Sequence, residues 1–266
     1  MRVETIISTI NKDKIDDLKL SEKNIHKDCL IINQVLRERI PLINEKKEGI
    51  NFLSFREKGL SKSRNRGIKK SKHDIILLTD DDVYYKQNFN ELLINEFNKN
   101  PEVDILTFKI ETSDGKEFKD YNKKEFYHNY KSILKVSSVE IALRKKKIDE
   151  YDLKYDEMFG LGSIYKTGEE NIFLYDALKK GCNIKYIPIT IAIHPEGTSG
   201  KRLTEENIFA KGALFYRLFG IKAFFINLFF ILKKRKEIRV YQTVKKAIKS
   251  IYSGSYDYIR RQNEFK

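Results

Sequence analysis

The sequence predicts an α/β protein: a single, mainly parallel, twisted sheet flanked by helices, followed by a helical, basic C-terminal segment. Three observations predict it. Short apolar runs alternate with helical patterns up to residue 110, the rhythm of strand–helix–strand units. One run, residues 75–78 (IILL), is too short for a helix and is bounded by charge, so it reads as a buried strand. Three adjacent carboxylates, Asp80-Asp81-Asp82, follow that strand directly. The C-terminal edge of the strands is where open α/β sheets bind ligands.

Residues 3–10 (VETIISTI) are β-branched and form a first strand. A helix is expected over 16–24. Residues 29–33 (CLIIN) and 50–55 (INFLSF) are the second and third strands, 60–70 a basic helix opened by Gly59, and 74–79 the fourth strand. Over 87–98, Phe89, Leu92, Leu93 and Phe97 recur at helical spacing, and Pro101 follows. Residues 103–110 (VDILTFKI) are a fifth strand. The rhythm then changes. Residues 111–130 are polar and aromatic with a turn at Asp114-Gly115, and 136–143 alternate enough to be a strand. The basic run 144–147 is either a solvated connector or a contact for a phosphorylated acceptor. A glycine-bearing loop, 159–167, precedes a helix over 169–180 that ends at Gly181. Pro188 places the last strand, 184–193, at an edge or a bulge.

At 266 residues with 41% apolar content, 17 Phe and 15 Tyr, the chain can bury a large core, which excludes a disordered chain. Cys29 and Cys182 have no CxxC spacing and read as reduced core residues. The N-terminus lacks the long apolar run of a signal peptide, so a cytoplasmic protein is expected. The net charge of +14 is unevenly placed: residues 201–266 hold 16 Lys and Arg against 5 Asp and Glu. A domain over 1–200 is therefore expected, followed by a basic, Phe-rich segment over 201–266 that binds a surface or forms a dimer contact. Residues 212–232 have the length of a membrane span. Arg217 and Lys222 interrupt it, each costing about 2.5–3.5 kcal/mol at a bilayer centre. With the basic run 233–236 behind it, a helix lying in an anionic membrane interface fits better. Packing on its own domain, or in a homodimer, is the alternative.

The Asp triplet is the first chemical signal. Hard divalent cations take carboxylate oxygens, and Mg²⁺ commonly takes one or two of them plus substrate phosphates. A calcium-loop reading fails, because its sixth position would be Tyr85 where that loop needs Gly. A solvated acidic turn is the plain alternative. Lys62, Arg64 and Arg66 lie near the Gly59 turn, and a helix N-terminus favours anions. Glu169-Glu170 sits at a helix start, where carboxylates are favoured whatever their role. His194 follows the last strand, as a structural residue or a ligand. Lys201-Arg202 stand on the loop after it, and would clamp a diphosphate on loop closure if His194 is a ligand.

Four segments together, the first strand ending near Ser8-Thr9, GLSKSRNRGI, DIILLTDDDV and FGLGSIYKTGEENIFL, resemble the family 2 glycosyltransferases of the GT-A fold, of the type that assembles bacterial polysaccharides. The resemblance covers about residues 3 to 198. It implies that the triplet is the DxD element, with Asp82 a ligand of Mn²⁺ or Mg²⁺ and Asp80 and Asp81 contacts of a nucleotide-sugar. It implies Arg64 near the nucleotide, and Thr9 and Asn33 where the first two strands meet uracil and ribose; Asn33 stands where Asp is usual. Glu170 matches the general base, commonly Asp, and His194 matches a residue that completes the metal site.

The expected function is a metal-dependent inverting glycosyltransferase. It would move a hexosyl or N-acetylhexosaminyl group from a nucleotide-diphosphate sugar, a UDP-sugar, to a hydroxyl of a glycan or lipid-linked acceptor in cell-surface polysaccharide synthesis, at the cytoplasmic face of the membrane. A sugar-nucleotide pyrophosphorylase is a rival, but it wants a Gly-rich basic loop after the first strand, which STINKDKID lacks. A non-enzymatic membrane or nucleic-acid adaptor is another. No base-stacking aromatic pattern on a strand platform supports nucleic acid.

Overall fold

The computed structural model describes residues 1–195 and 202–264. In chain order the elements are β1 (Val3–Ile10), β2 (Cys29–Gln34), β3 (Asn44–Lys47), β4 (Ile50–Phe55), α1 (Leu60–Lys70), β5 (Ile75–Asp80), β6 (Tyr84–Tyr85), α2 (Phe89–Lys99), β7 (Ile105–Glu111), β8 (Phe126–Tyr127), β9 (Ile141–Arg144), α3 (Lys145–Glu150), α4 (Glu169–Lys179), β10 (Ile184–Ile193), α5 (Glu205–Phe219), α6 (Ala223–Ile238) and α7 (Val244–Glu264). The strands form one sheet in the order β3-β4-β2-β1-β5-β9-β7-β10-β6, with β8 paired to β10. Neighbours β4, β2, β1 and β5 are mutually parallel, as are β7 and β10. This is the mixed, mainly parallel sheet that the alternating pattern predicts.

Residues 75–79 of β5 are buried throughout. Both faces of a parallel sheet are covered, so its inner strands carry continuous apolar runs. One core cluster includes Ile7, Ile31, Leu77 and Phe108, and a second includes Ile6, Ile32, Leu78 and Leu143. Alternation along each strand assigns these to opposite faces. Register sets the functional edge: Ser8 pairs with Asp80, and Thr9 with Asn33. Helix α1 lies close on this sheet because Gly67 faces Ile6, where a Cβ would overlap the isoleucine methyl.

Several expectations need correction. The helix expected over 16–24 is two 3₁₀ turns, broken by left-handed backbone at Lys19 (φ 49°). The strand expected from 136 starts only at Ile141, because Ser137 and Glu140 form a capping box around a 3₁₀ turn. Arg144 ends β9 beside Ile75, at the strand edge opposite the Asp triplet, and donates to the carbonyls of Val103, Phe97 and Asn100. That basic run therefore faces away from the functional edge. Pro188 does sit in a bulged stretch of β10, between Tyr186 and Thr190.

The expected helix over 212–232 is two helices, broken at Gly220 (φ 56°, ψ −137°). Arg217 is paired within the protein, with Asp156 at 3.0 Å and Asp176 at 2.6 Å. Helix α5 packs on the sheet domain, where Leu214 fills the space a Cβ on Gly168 would need. It also crosses α7 at two glycines. A Cβ on Gly212 would overlap the Ile251 carbonyl, and one on Gly254 the Phe209 carbonyl, so the helix backbones touch.

Candidate active site

A cavity of about 620 Å³ opens at the C-terminal edge of the parallel strands. Thr9, Asp80, Asp81, Asp82, Glu169, Glu170 and His194 all line it. Residues scattered over nearly the whole sequence meet here because the ends of β1, β5 and β10 and the start of α4 converge on one edge.

The three adjacent carboxylates escape mutual repulsion by taking separate partners. Asp80 accepts from Arg64 Nη2 at 3.1 Å. Asp81 accepts from the Thr9 hydroxyl at 2.5 Å and lies 3.5 Å from Lys12 Nζ. Lys23 Nζ donates to the Asp81 carbonyl, and burial lowers its pKa against the pull of the Asp81 charge. Asp82 faces His194, with Oδ1 to Nε2 at 3.8 Å. Burial raises the Asp82 pKa, His194 opposes that shift, and Asp80 and Asp81 add to it.

This corner fits a divalent cation. Asp82 and His194 can reach one point, and a cation there would relieve an ionised carboxylate held beside two others. Among the described residues no cluster of three or more His, Cys, Asp or Glu side chains forms a cage. Two protein ligands leave positions for water and phosphate oxygens, which is how Mg²⁺ is usually held beside a substrate.

Behind the cavity wall stands Arg64, 1% exposed. Nη1 donates to Glu169 Oε1 at 3.0 Å, while Nη2 holds Asp80. Burial works against its charge, but the two carboxylates outweigh that and raise its pKa. The guanidinium does not line the cavity. Its place differs from the expected nucleotide contact: it braces the Asp triplet against the start of α4. Lys62 and Arg66, expected to offer charge to a diphosphate, line a separate groove, where Arg66 pairs with Glu57.

With Glu169 engaged by Arg64, Glu170 is the carboxylate left for chemistry. Its pKa is pushed up to about 8, first by burial and then by the neighbouring Glu169 charge. A carboxyl poised near neutrality is suited to accept a proton.

Asn33 is fully buried and outside the cavity lining. Its amide donates to the Lys12 carbonyl and the Ser54 hydroxyl and accepts from the Lys12 N–H, so its polar groups pin the turn after β1. The structure thus places it under the turn after β1 and not on the cavity wall, where a ribose contact was expected. Arg202 is exposed and does not line the cavity, and Lys201 lies outside the described residues. The sequence reading missed Gln34, Lys119, Lys135, Lys166 and Lys211, all of which line the cavity. Lys211 comes from α5, inside the segment read as a surface-binding tail.

Residues 27–157 match the family model described as glycosyl transferase family 2. No curated protein matches the sequence. Among solved structures, the chain is similar to S. aureus TarS residues 1–349, with a TM-score of 0.59 at 13% identity over 90% of this chain and 73% of that one. The same TarS fragment in complex with UDP gives 0.58 at 12% identity, with the same coverage. In complex with UDP-GlcNAc it gives 0.59 at 13%, covering 90% and 74%. At such identities the likeness is one of fold, and that fold is the GT-A architecture the sequence motifs resemble.

Proposed function

We propose, for this family 2 glycosyltransferase with its matched segment at residues 27–157, an inverting transfer of a hexosyl or N-acetylhexosaminyl group from a UDP-sugar to an acceptor hydroxyl. The observation that carries the reading is that Asp82, His194 and Glu170 line one cavity, with Arg64 joining Asp80 to Glu169 behind it. The TarS structures with UDP and UDP-GlcNAc support the choice of donor.

Asp82 and His194 would hold Mn²⁺ or Mg²⁺, which when bound offsets charge developing on the leaving diphosphate. Thr9 and the Asp81 backbone loop shape the nucleotide end. Glu170 takes the acceptor proton while the acceptor oxygen attacks the anomeric carbon from the face opposite the diphosphate, which gives a single displacement with inversion. Arg64 holds Glu169 in place, and the neighbouring Glu169 raises the pKa of Glu170.

The acceptor in this reading is a glycan or lipid-linked glycan of cell-surface polysaccharide synthesis, met at the cytoplasmic face of the membrane. Helix α6 supports that location. Phe225, Leu228, Phe229 and Leu232 lie on one exposed face, with Phe225 82% exposed. Lys222 precedes them and residues 233–236 (KKRK) follow. An apolar stripe flanked by cations complements an anionic bilayer surface, where each Lys or Arg contributes about 1 kcal/mol. Co-sedimentation with vesicles tests it. Phe225→Ser with Phe229→Ser should abolish binding to anionic vesicles; unchanged binding, or loss of a dimer in the variant, counts against the membrane.

The decisive experiment is a donor screen with wild type, Asp82→Ala and Glu170→Gln. We expect Asp82→Ala to lose Mn²⁺-dependent UDP-sugar binding. Glu170→Gln should keep that binding and lose transfer. No binding or hydrolysis of any nucleotide-sugar by the wild type, with either metal, would overturn the reading.

A further inference from the structure

Four lysines from four separate segments line the cavity: Lys119, Lys135, Lys166 and Lys211. Two are neutralised within the protein, Lys119 by Glu140 at 2.6 Å and Lys166 by Glu206 at 2.7 Å. Lys211 is different. Its Nζ sits 5.8 Å from the centre of the Phe230 ring, and among the described residues no carboxylate lies within ion-pair distance of it. Burial lowers its pKa, with Glu170 opposing and Lys234 adding to that shift, so the ammonium lies within the field of Glu170. Lys135, on the cavity rim, is likewise without an ion-pair partner among the described residues.

An ammonium partly withdrawn from water and left unpaired is costly unless something anionic meets it. Asp82 and His194 would hold a cation that serves the donor diphosphate. Lys211 lines the same cavity and stands within the field of Glu170, the carboxylate read as taking the acceptor proton. An anion there is carried by the acceptor.

We propose that the acceptor bears a phosphate near its reacting hydroxyl and that Lys211, with Lys135, binds it. This rests on the reading of Glu170 as the acceptor base. The phosphate has two sources, a soluble glycosyl phosphate ester or the diphosphate of a lipid carrier. Helix α5 carries Lys211 and leads directly into the exposed face of α6, so a lipid-borne phosphate could enter from the same side.

The test compares a neutral alkyl glycoside, the same glycoside bearing a phosphate ester, and a vesicle-borne lipid diphosphate sugar, in wild type, Lys211→Met and Lys211→Arg. Wild type should favour a phosphate-bearing acceptor at least tenfold in kcat/KM. Lys211→Met should lose that preference through acceptor KM, and Lys211→Arg should restore it. Preference for the soluble ester assigns the site to a phosphate in any setting; preference for the vesicle-borne acceptor alone assigns it to the lipid carrier. Calorimetric binding of the phosphate ester without donor, weakened in Lys211→Met, reads the site even if the donor assignment is wrong. Equal use of neutral and phosphorylated acceptors by wild type overturns the proposal. So does a Lys211→Met variant that slows both equally while moving the pH profile, because Lys211 would then serve Glu170 alone.

Discussion

Arg64 and Glu169 lie 3.0 Å apart, guanidinium to carboxylate, although 105 residues separate them in the chain. Both are buried, and the same arginine holds Asp80. The DDD run behind β5 and the GEEN start of α4 are therefore one physical unit joined by a single side chain of the GLSKSRNRGI helix.

Removing that side chain should leave a buried carboxylate without its cation. Breaking one partner of a buried pair typically costs about 3–5 kcal/mol. Arg64→Met is expected to lose about 3 kcal/mol of unfolding free energy in denaturant titration, the lower end because Asp80 is partly exposed. Arg64→Lys should recover only part, since one ammonium cannot match two carboxylates in fork geometry. A stability of Arg64→Met within 1 kcal/mol of wild type would show that the brace is not under load.

The raised Glu170 pKa predicts a pH profile. Below about 8 the carboxyl is mainly protonated and cannot take the acceptor proton, so transfer should rise with pH to a plateau above that value. Stability should move the other way. A carboxyl whose pKa is higher in the folded than in the unfolded state stabilises the fold at low pH, and that contribution is lost as pH rises from its unfolded value through about 8. Glu170→Gln should therefore gain in melting temperature relative to wild type at pH 9 compared with pH 4. A transfer rate flat from pH 6 to 9, with chemistry rate-limiting, speaks against Glu170 as the base.

His194 and Asp82 are expected to act together on a metal. His194→Ala should weaken Mn²⁺ binding in the presence of UDP roughly tenfold, about 1.4 kcal/mol. Isothermal titration gives the answer directly. An unchanged affinity would return His194 to a packing role against Phe118, whose ring lies 5.4 Å away.

Asn33 offers a test of the buried turn. Asn33→Asp would replace the amide N–H that serves the Lys12 carbonyl with an acceptor, leaving two acceptors face to face. The cost should be about 1–3 kcal/mol, larger at pH 7 than at pH 4, because a protonated carboxyl can still donate. UDP-sugar affinity should not improve. A gain in affinity would place this position at the ribose after all.

Much of this fold was legible because its signals are local. The β5 run, the triplet behind it and the α4 start each lie within a few residues, and backbone preference with burial dictates them. Arg64 looked like a nucleotide contact because it sits in a basic helix; its true partner, Glu169, is close only after β5 and α4 have been brought together. The family resemblance assigns Asn33 to the ribose, and no local signal tells that its side chain turns inward to Ser54. Lys211 carried no local signal at all. Its neighbours in sequence are mostly apolar, and it reaches the cavity because α5 seats on the sheet domain, with Leu214 against Gly168.

The close approach of α5 and α7 at Gly212 and Gly254 bears on how the protein is made. A ribosome that has delivered the matched family segment, the triplet, Glu170 and even Lys211 has not yet supplied Gly254, against which α5 must seat. The seat of α5 is thus completed only after residue 254 has emerged, and a polypeptide stopped before it would carry every motif by which it is known yet lack the helix on which α5 rests. Gly212→Val should reproduce that state in a full-length protein: the helices are forced apart at Ile251, at a cost of about 1–3 kcal/mol for overpacking, and acceptor KM should rise while UDP-sugar affinity holds. Wild-type kinetics in Gly212→Val would mean that the cavity wall does not depend on the close seating of α5 on α7.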